Sequence, residues 1–456
     1  MGAREKGLAV VVMAVLGMTT ACGGGGATSG ASEKAEFTKD ATGTLNAWGF
    51  DNADDVGRAR MEHAAQQLKQ VQINLDQTPF DAQKFTTRAA SGDVPDVVQM
   101  DRAFVGTYAA QGLIKPLDAC YEAQGVDPAK HFYPAVTEQV TYEDRIWAVP
   151  QFYQPAAIIL NQTALQAAGV DKADIDTSNK EKLLGAISKA YKSSRDQPAT
   201  LGFDPVASGQ AELWLLANGG RLMDEKGAPA LDDPANTEAL NYLKQINDAQ
   251  GGYAKVKSFS DAFDTFGKDN QFVQNQVAAQ LNAQWYVNVL APYAQSLSIS
   301  AVPFKDKSGH PTTVAGGTSF VIPAGAKNPD AACAWMTALV SDESWSAAGA
   351  ARADKIAKTP GAINTGLFTG SPSADKLIRD KFVKPSGNTG FDETIATFYE
   401  VLPTGRSLGS SPAGQAIKTE LRNAVASTLL GEKPAAQALA DAQAASQRAY
   451  DQAVAG

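Results

Sequence analysis

The sequence predicts an α/β protein of two lobes, and three observations predict it. Strand-like and helix-like segments alternate as β-α-β-α-β between residues 45 and 100, the order that builds a parallel sheet with helices on its faces. At 456 residues the chain exceeds the size at which single cores stop growing. Residues 145–161, RIWAVPQFYQPAAIILN, join two apolar runs through a polar, proline-bracketed link. Prolines stiffen such a link and remove backbone donors. It reads either as strand, loop and strand within one lobe or as a crossing whose polar side chains face a cleft.

The first twenty-odd residues stand apart. Arg4 and Lys6 precede an apolar run over residues 8–18, followed by Thr19, Thr20, Ala21 and Cys22. A basic start, a short apolar stretch and small residues before a cut make a secretory signal over residues 1–21, and the run is too short to span a bilayer. Cys22 before four glycines resembles the lipidated cysteine of bacterial lipoproteins, although Thr19 stands where that motif usually has Leu. Residues 22–40 are rich in Gly, Ser, Ala and Thr and read as a flexible tether. The expected location is the outer face of the cell membrane, held there by lipid alone. The net charge of −9 and the lack of a basic run argue against nucleic acid as partner.

Segments 45–50, 71–75 and 96–100 read as strands, with helices over 54–69 and 80–91 between them. Ligands of such sheets bind beyond the carboxyl ends of the strands. Those ends carry Trp48, Phe50, Asp51 and Asn52, then Asp101 and Arg102. For Asp51 and Asp101, a helix cap or turn carboxylate stands equally open with a ligand contact. Further on, Asp233 caps a helix with Pro234 at its first position, and Leu240, Leu243 and Ile246 line its buried side. Residues 277–281 and 298–303 read as strands, the first ending at Asn282 to Tyr286. AGGTS (315–319) leads into a strand at 320–323, and Asn328 opens an amphipathic helix with Trp335 on its core stripe. Cys120 and Cys333 form one disulfide in an oxidising compartment or remain two buried thiols. His63, His131 and His310 are widely separated, so neither a metal nor a cofactor is expected.

Several short strings then recur together: SGDVPDVV (91–98), GLIKPLD (112–118), WAVP (147–150) running on to Leu160 and Asn161, ANGG (217–220), NAQW (282–285), AGG (315–317) and the helix from Asp330. In this order and spacing they resemble the extracellular solute-binding proteins of ATP-driven (ABC) importers, in the carbohydrate-binding family that includes maltose-binding protein. The resemblance covers residues 40–350 and fades after about 365, apart from LLGE at 429–432.

The resemblance implies a type II periplasmic-binding-protein fold, with residues 41–150 and 300–360 in lobe one and 151–299 and 361–456 in lobe two. It puts Cys120 and Cys333 in one lobe. It implies a monomer without catalytic activity that closes on a sugar and delivers it to ABC permease subunits. Trp285 stands at the family's position for an aromatic that stacks on a sugar ring. Gln154 stands where members often carry a carboxylate, a departure that removes a charge-assisted bond and speaks against maltose. Near Lys418 and Thr419 the family's terminal aromatic pair is missing. The implied ligand set is Trp48, Phe50, Asp51, Asp101, Gln151, Tyr153, Gln154, Trp285, Gly316, Gly317 and Thr318. Gly316 and Gly317 fit either a backbone approach to ligand or a strand bulge. Two alternatives remain: a polyol or glycerol phosphoester, for which Arg102 is the one obvious phosphate partner, and a secreted glycoside hydrolase with two flanking carboxylates.

Overall fold

The computed structural model describes residues 37–50, 54–206 and 210–455. The signal, Cys22, most of the tether and Asp51 lie outside the described residues. The strands Gly43–Trp48, Val71–Asp76 and Val97–Asp101 pair in parallel. Thr318–Val321 joins Val97–Asp101 antiparallel and pairs on its far side with Val149–Pro150. Local chemistry sets the helices between them. The Asp54 carboxylate accepts from the Gly57 amide at 2.7 Å and starts Asp55–Gln67. Asp81 does the same for Ala82–Ser91, which Gly92 ends in the left-handed region (φ 73°).

Side-chain alternation gives this sheet two buried faces. Leu45, Ala47, Val97 and Phe320 pack with Phe50 against Trp335 and Met336 of the helix Pro329–Val340. Trp48, Val98, Met100 and Val321 pack with Phe85 and Tyr108 on the other face. A disulfide joins Cys120 and Cys333, with Cα atoms 5.7 Å apart. It ties the helix Asp118–Gln124 to Pro329–Val340.

The second lobe is built on the strand Ala156–Asn161, flanked antiparallel by Ala279–Ala283 and Ile299–Val302. All six residues of the central strand are buried. Ile158 and Leu160 face Leu240, Leu243 and Ile246 of the helix Pro234–Asp248 and Ile417 and Leu421 of Gly414–Leu429. Ala157 and Ile159 face Phe272, Tyr286, Phe391 and Phe398. Trp214 belongs to this core, edge-on to Phe304 at 4.7 Å. No helix among the described residues is long and apolar enough to cross a membrane.

Two expected lobe boundaries move. Ser300 does not return the chain to lobe one: it pairs with Leu160 in the second-lobe sheet, and the chain re-enters the first sheet only at Thr318. Strand alternation shows that a strand exists, not which sheet it joins. Likewise residues 361–456 do not all belong to lobe two. Thr365 donates to Asn288 Oδ1 in the second lobe, but the helix Pro372–Phe382 buries Ala374 and Ile378 against Val56 and Trp345 of the first.

Candidate functional site

Three chain segments meet where the lobes join. The first crossing, 151–155, is bound to the second crossing by Gln151 N to Thr318 O (3.0 Å) and Gln154 N to Gly316 O (2.9 Å). It is bound to a third segment by Tyr153 N to Phe368 O (3.2 Å) and Gly370 N to Gln151 O (3.1 Å). Arg102 sits under this junction, 1% exposed. Its guanidinium donates to the carbonyls of Phe152 (2.6 Å), Thr318 (3.0 Å) and Ala315 (2.6 Å), and its Nε to Gln139 Oε1 (3.0 Å). Burial lowers its pKa to about 10, so it stays a cation at neutral pH. Arg102 is therefore a clamp on both crossings, and its donors are turned to backbone carbonyls rather than held free for a phosphate.

Gly317 is part of the same device. Its φ is +150°, and a Cβ there would lie 2.1 Å from the Phe152 carbonyl oxygen and under 3 Å from the Arg102 guanidinium. The residue is glycine because the crossings and the clamp occupy that space. Gly316 differs: a Cβ there would meet nothing within 4 Å.

A cleft of about 690 Å³ opens beside this hinge. Of the implied ligand set it brings together Asp101, Gln154, Trp285, Gly316 and Gly317. Asp101 is a turn cap, its Oδ1 accepting from Ala103 N at 2.8 Å, and the residue also lines the cleft. Gln154 is exposed there. Trp285 is half-buried and follows Gln284, whose amide donates to Pro155 O at 3.1 Å and so ties it to the first crossing. Phe266 stacks on Trp285 with ring centroids 6.0 Å apart and planes 18° apart. Phe266 is 75% exposed, an unusual state for a phenyl ring with no partner on its outer side.

The remaining described members of the set are placed elsewhere. Trp48 is buried, with its indole N–H donating to Thr78 Oγ1 at 3.1 Å and its ring 5.5 Å from Phe80. Phe50 is buried against Phe320 and Trp335. A strand end beneath packed helices gave both rings a core to fill. Gln151 donates to Gln99 Oε1 (2.7 Å) and to Thr318 Oγ1 (3.2 Å). Tyr153 donates to the Leu402 carbonyl at 3.0 Å. These three hinge residues, Gln151, Tyr153 and Thr318, hold the crossings and are not among the cleft's lining residues.

The second lobe contributes residues that sequence reasoning missed. Asp204, Gln210, Glu212, Gln271 and Gln280 line the cleft, as do Tyr253, Lys257, Phe263 and Phe266, and Lys418 from the tail. Asp204 is almost fully buried, and that burial raises its pKa against hydrogen bonds from Gln280 and Val206. No motif marks Asp204. The signal for Phe266 was compositional: DAFDTF (261–266) alternates acidic and aromatic residues without core periodicity. Among the described residues no group of three His, Cys, Asp or Glu side chains is placed to hold a metal.

The sequence matches the family described as bacterial extracellular solute-binding protein over residues 60–360. The chain belongs to that family. Membership places this solute-binding protein outside the cytoplasm. Solved structures share its fold at low identity. CpMnBP1 with mannotriose bound superposes with a TM-score of 0.71 at 20% identity, covering 88% of this chain and 99% of that one. The sugar-binding protein MalE of Xanthomonas citri gives 0.68 at 16% identity, covering 90% and 98%. The GacH receptor of Streptomyces glaucescens, solved unliganded and with acarbose, gives 0.63 at 20% identity, covering 90% and 99%.

Proposed function

We propose that the protein captures a saccharide in this cleft and delivers it to an ABC-type importer, anchored through lipid on Cys22. The observation that carries the reading is the Trp285–Phe266 aromatic surface set among polar groups. The apolar C–H face of a pyranose suits an aromatic ring, and its hydroxyls suit the surrounding amides and carboxylates. A volume of about 690 Å³ is within the range of small-ligand clefts, roughly 300–1,000 Å³. Relatives of the same fold hold mannotriose and acarbose, which supports an oligosaccharide here.

Capture proceeds by closure of the lobes about the crossings clamped by Arg102. Only ligand contacts stronger in the closed form drive that closure. Closure also buries the cleft amides, so a ligand lacking a hydroxyl leaves one unpaired and binds less well. The test is calorimetric titration of the purified protein with a panel of mono- to tetrasaccharides, with chromatography of each mixture afterwards. Saturable binding without new products supports the reading. Product formation replaces it with the hydrolase, and no binding by any saccharide removes it.

A further inference from the structure

The crossings are not the only place where the lobes touch. The helix Val105–Ala110 of the first lobe packs Val105, Tyr108 and Ala109 into that lobe's core. Its second residue, Gly106, meets the loop 408–411 of the second lobe. A Cβ there would lie 2.4 Å from Ser410 Oγ and 2.7 Å from Ser411 N. Glycine weakens a helix, and here the close approach of the other lobe is the reason for it. Hydrogen bonds run across the same contact in both directions. Thr107 Oγ1 donates to Ser411 O (3.3 Å), and Gln415 Nε2, from the helix Gly414–Leu429, donates to Ala103 O (3.2 Å).

The loop is fixed to its own lobe. Ser411 Oγ donates to Gly227 O at 2.6 Å, and Ala413 and Ile417 just beyond it pack in the second-lobe core. A Cβ on Gly227 would lie 2.6 Å from Ser410 O, so glycines of both lobes approach the dipeptide Ser410–Ser411 closely. The contact also borders the cleft. A small cavity of about 60 Å³ beside it is lined by Arg102 and Gly106 from one lobe and Ser410 and Lys418 from the other. Asp101 on one wall, and Leu408 and Lys418 on the other, line both this cavity and the cleft. A rotation that widens the cleft therefore draws Gly106 away from Ser410. Each half of the contact belongs to its own lobe, so the two can part.

We propose that Gly106 and the loop 408–411 form a latch between the lobes, made in the closed form and broken in the open one, that sets the affinity of the cleft. This rests on the reading that the ligand binds by closure, and it adds a residue that acts without lining the cleft. Gly106 is not among the cleft's lining residues. It is a positioning residue: by admitting the loop it raises the closed fraction. The apparent affinity of a site that is competent in one state falls in proportion to the population of that state.

The experiment uses two variants. Gly106→Leu puts a wedge in the contact while keeping a good helix former in the helix. Thr107→Ala combined with Gln415→Ala removes the two cross-lobe hydrogen bonds and adds no bulk. Each is compared with wild type by small-angle X-ray scattering with and without saturating mannotriose, by calorimetric titration with mannotriose, and by melting without sugar. The expected result for Gly106→Leu is a larger radius of gyration than wild type without sugar, a return to the wild-type radius with sugar, and at least tenfold weaker binding. The double variant should weaken binding at least threefold and melt within two degrees of wild type. Equal or tighter binding by Gly106→Leu overturns the latch, because the contact then does not favour the closed form. So does a double variant that melts several degrees lower with unchanged affinity, which marks the contact as structural. Failure of wild type to bind any saccharide removes the function proposed above. Equal radii of the sugar-free proteins remove the latch, whether or not wild type binds mannotriose, so the two failures are told apart.

Discussion

Arg102→Met tests whether the hinge is held by one buried cation. Methionine approximates the length and volume of the side chain but has no donors. Four hydrogen bonds go: three to the carbonyls of Phe152, Ala315 and Thr318, and one to Gln139. Bonds from a charged donor are worth roughly 1.5–3 kcal/mol each. Against that sum stands the desolvation of a fully buried guanidinium, several kcal/mol, which is also what lowers its pKa to about 10. Methionine abolishes that penalty but leaves buried carbonyls unpaired at about 1–3 kcal/mol each. The expected net loss is about 3–5 kcal/mol, the range for breaking a buried charged network. Urea denaturation followed by circular dichroism reads it as a lowered midpoint. Arg102→Lys, with a single ammonium unable to span three carbonyls, should fall between. A loss below about 1 kcal/mol for Arg102→Met would refute the clamp.

The neighbouring glycines should separate cleanly: Gly317→Ala meets the Phe152 carbonyl and should destabilise by more than about 3 kcal/mol, whereas Gly316→Ala, with open space around it, should leave the melting temperature within a degree or two. Asp375 lies under the hinge, its carboxylate accepting from Thr369 N (2.7 Å) and Tyr133 Oη (3.0 Å), and burial raises its pKa from 3.8 to about 7. The folded state then holds the proton more tightly than the unfolded one, so its contribution to stability is full below pH 3.8 and lost as pH rises through about 7; Asp375→Asn should flatten melting temperature against pH across that window. The disulfide closes a loop of 213 residues, for which chain entropy gives about 5 kcal/mol; the double Cys→Ala variant should lose most of that in urea, and an unchanged midpoint would contradict it.

The alternation of strand and helix up to Asp101 was legible because it is written in local periodicity. What faces the cleft was not. Gln151, Tyr153 and Gln154 share one link, yet only Gln154 lines the cleft. The first two are claimed by Gln99, Thr318 and Leu402, partners that sequence spacing does not reveal. Trp48 and Phe50 sit at a strand end, where the rule for parallel sheets points to ligand, but packed helices cover them. Ser300 read as a returning strand because alternation carries no information about pairing partners. Asp204 was missed for a related reason. Its place in the cleft wall, beside Gln280 76 residues away, is set by the fold, and an Asp before a Pro otherwise reads as a turn.

The most direct test of the account is calorimetric titration of wild type and Trp285→Ala with the saccharide that wild type binds best. Loss of the ring that lines the cleft beside Phe266 should weaken binding at least tenfold, about 1.4 kcal/mol. The half-buried position of Trp285 should leave the fold intact by circular dichroism. Equal affinity in the two proteins would contradict the claim that this cleft is where the ligand binds.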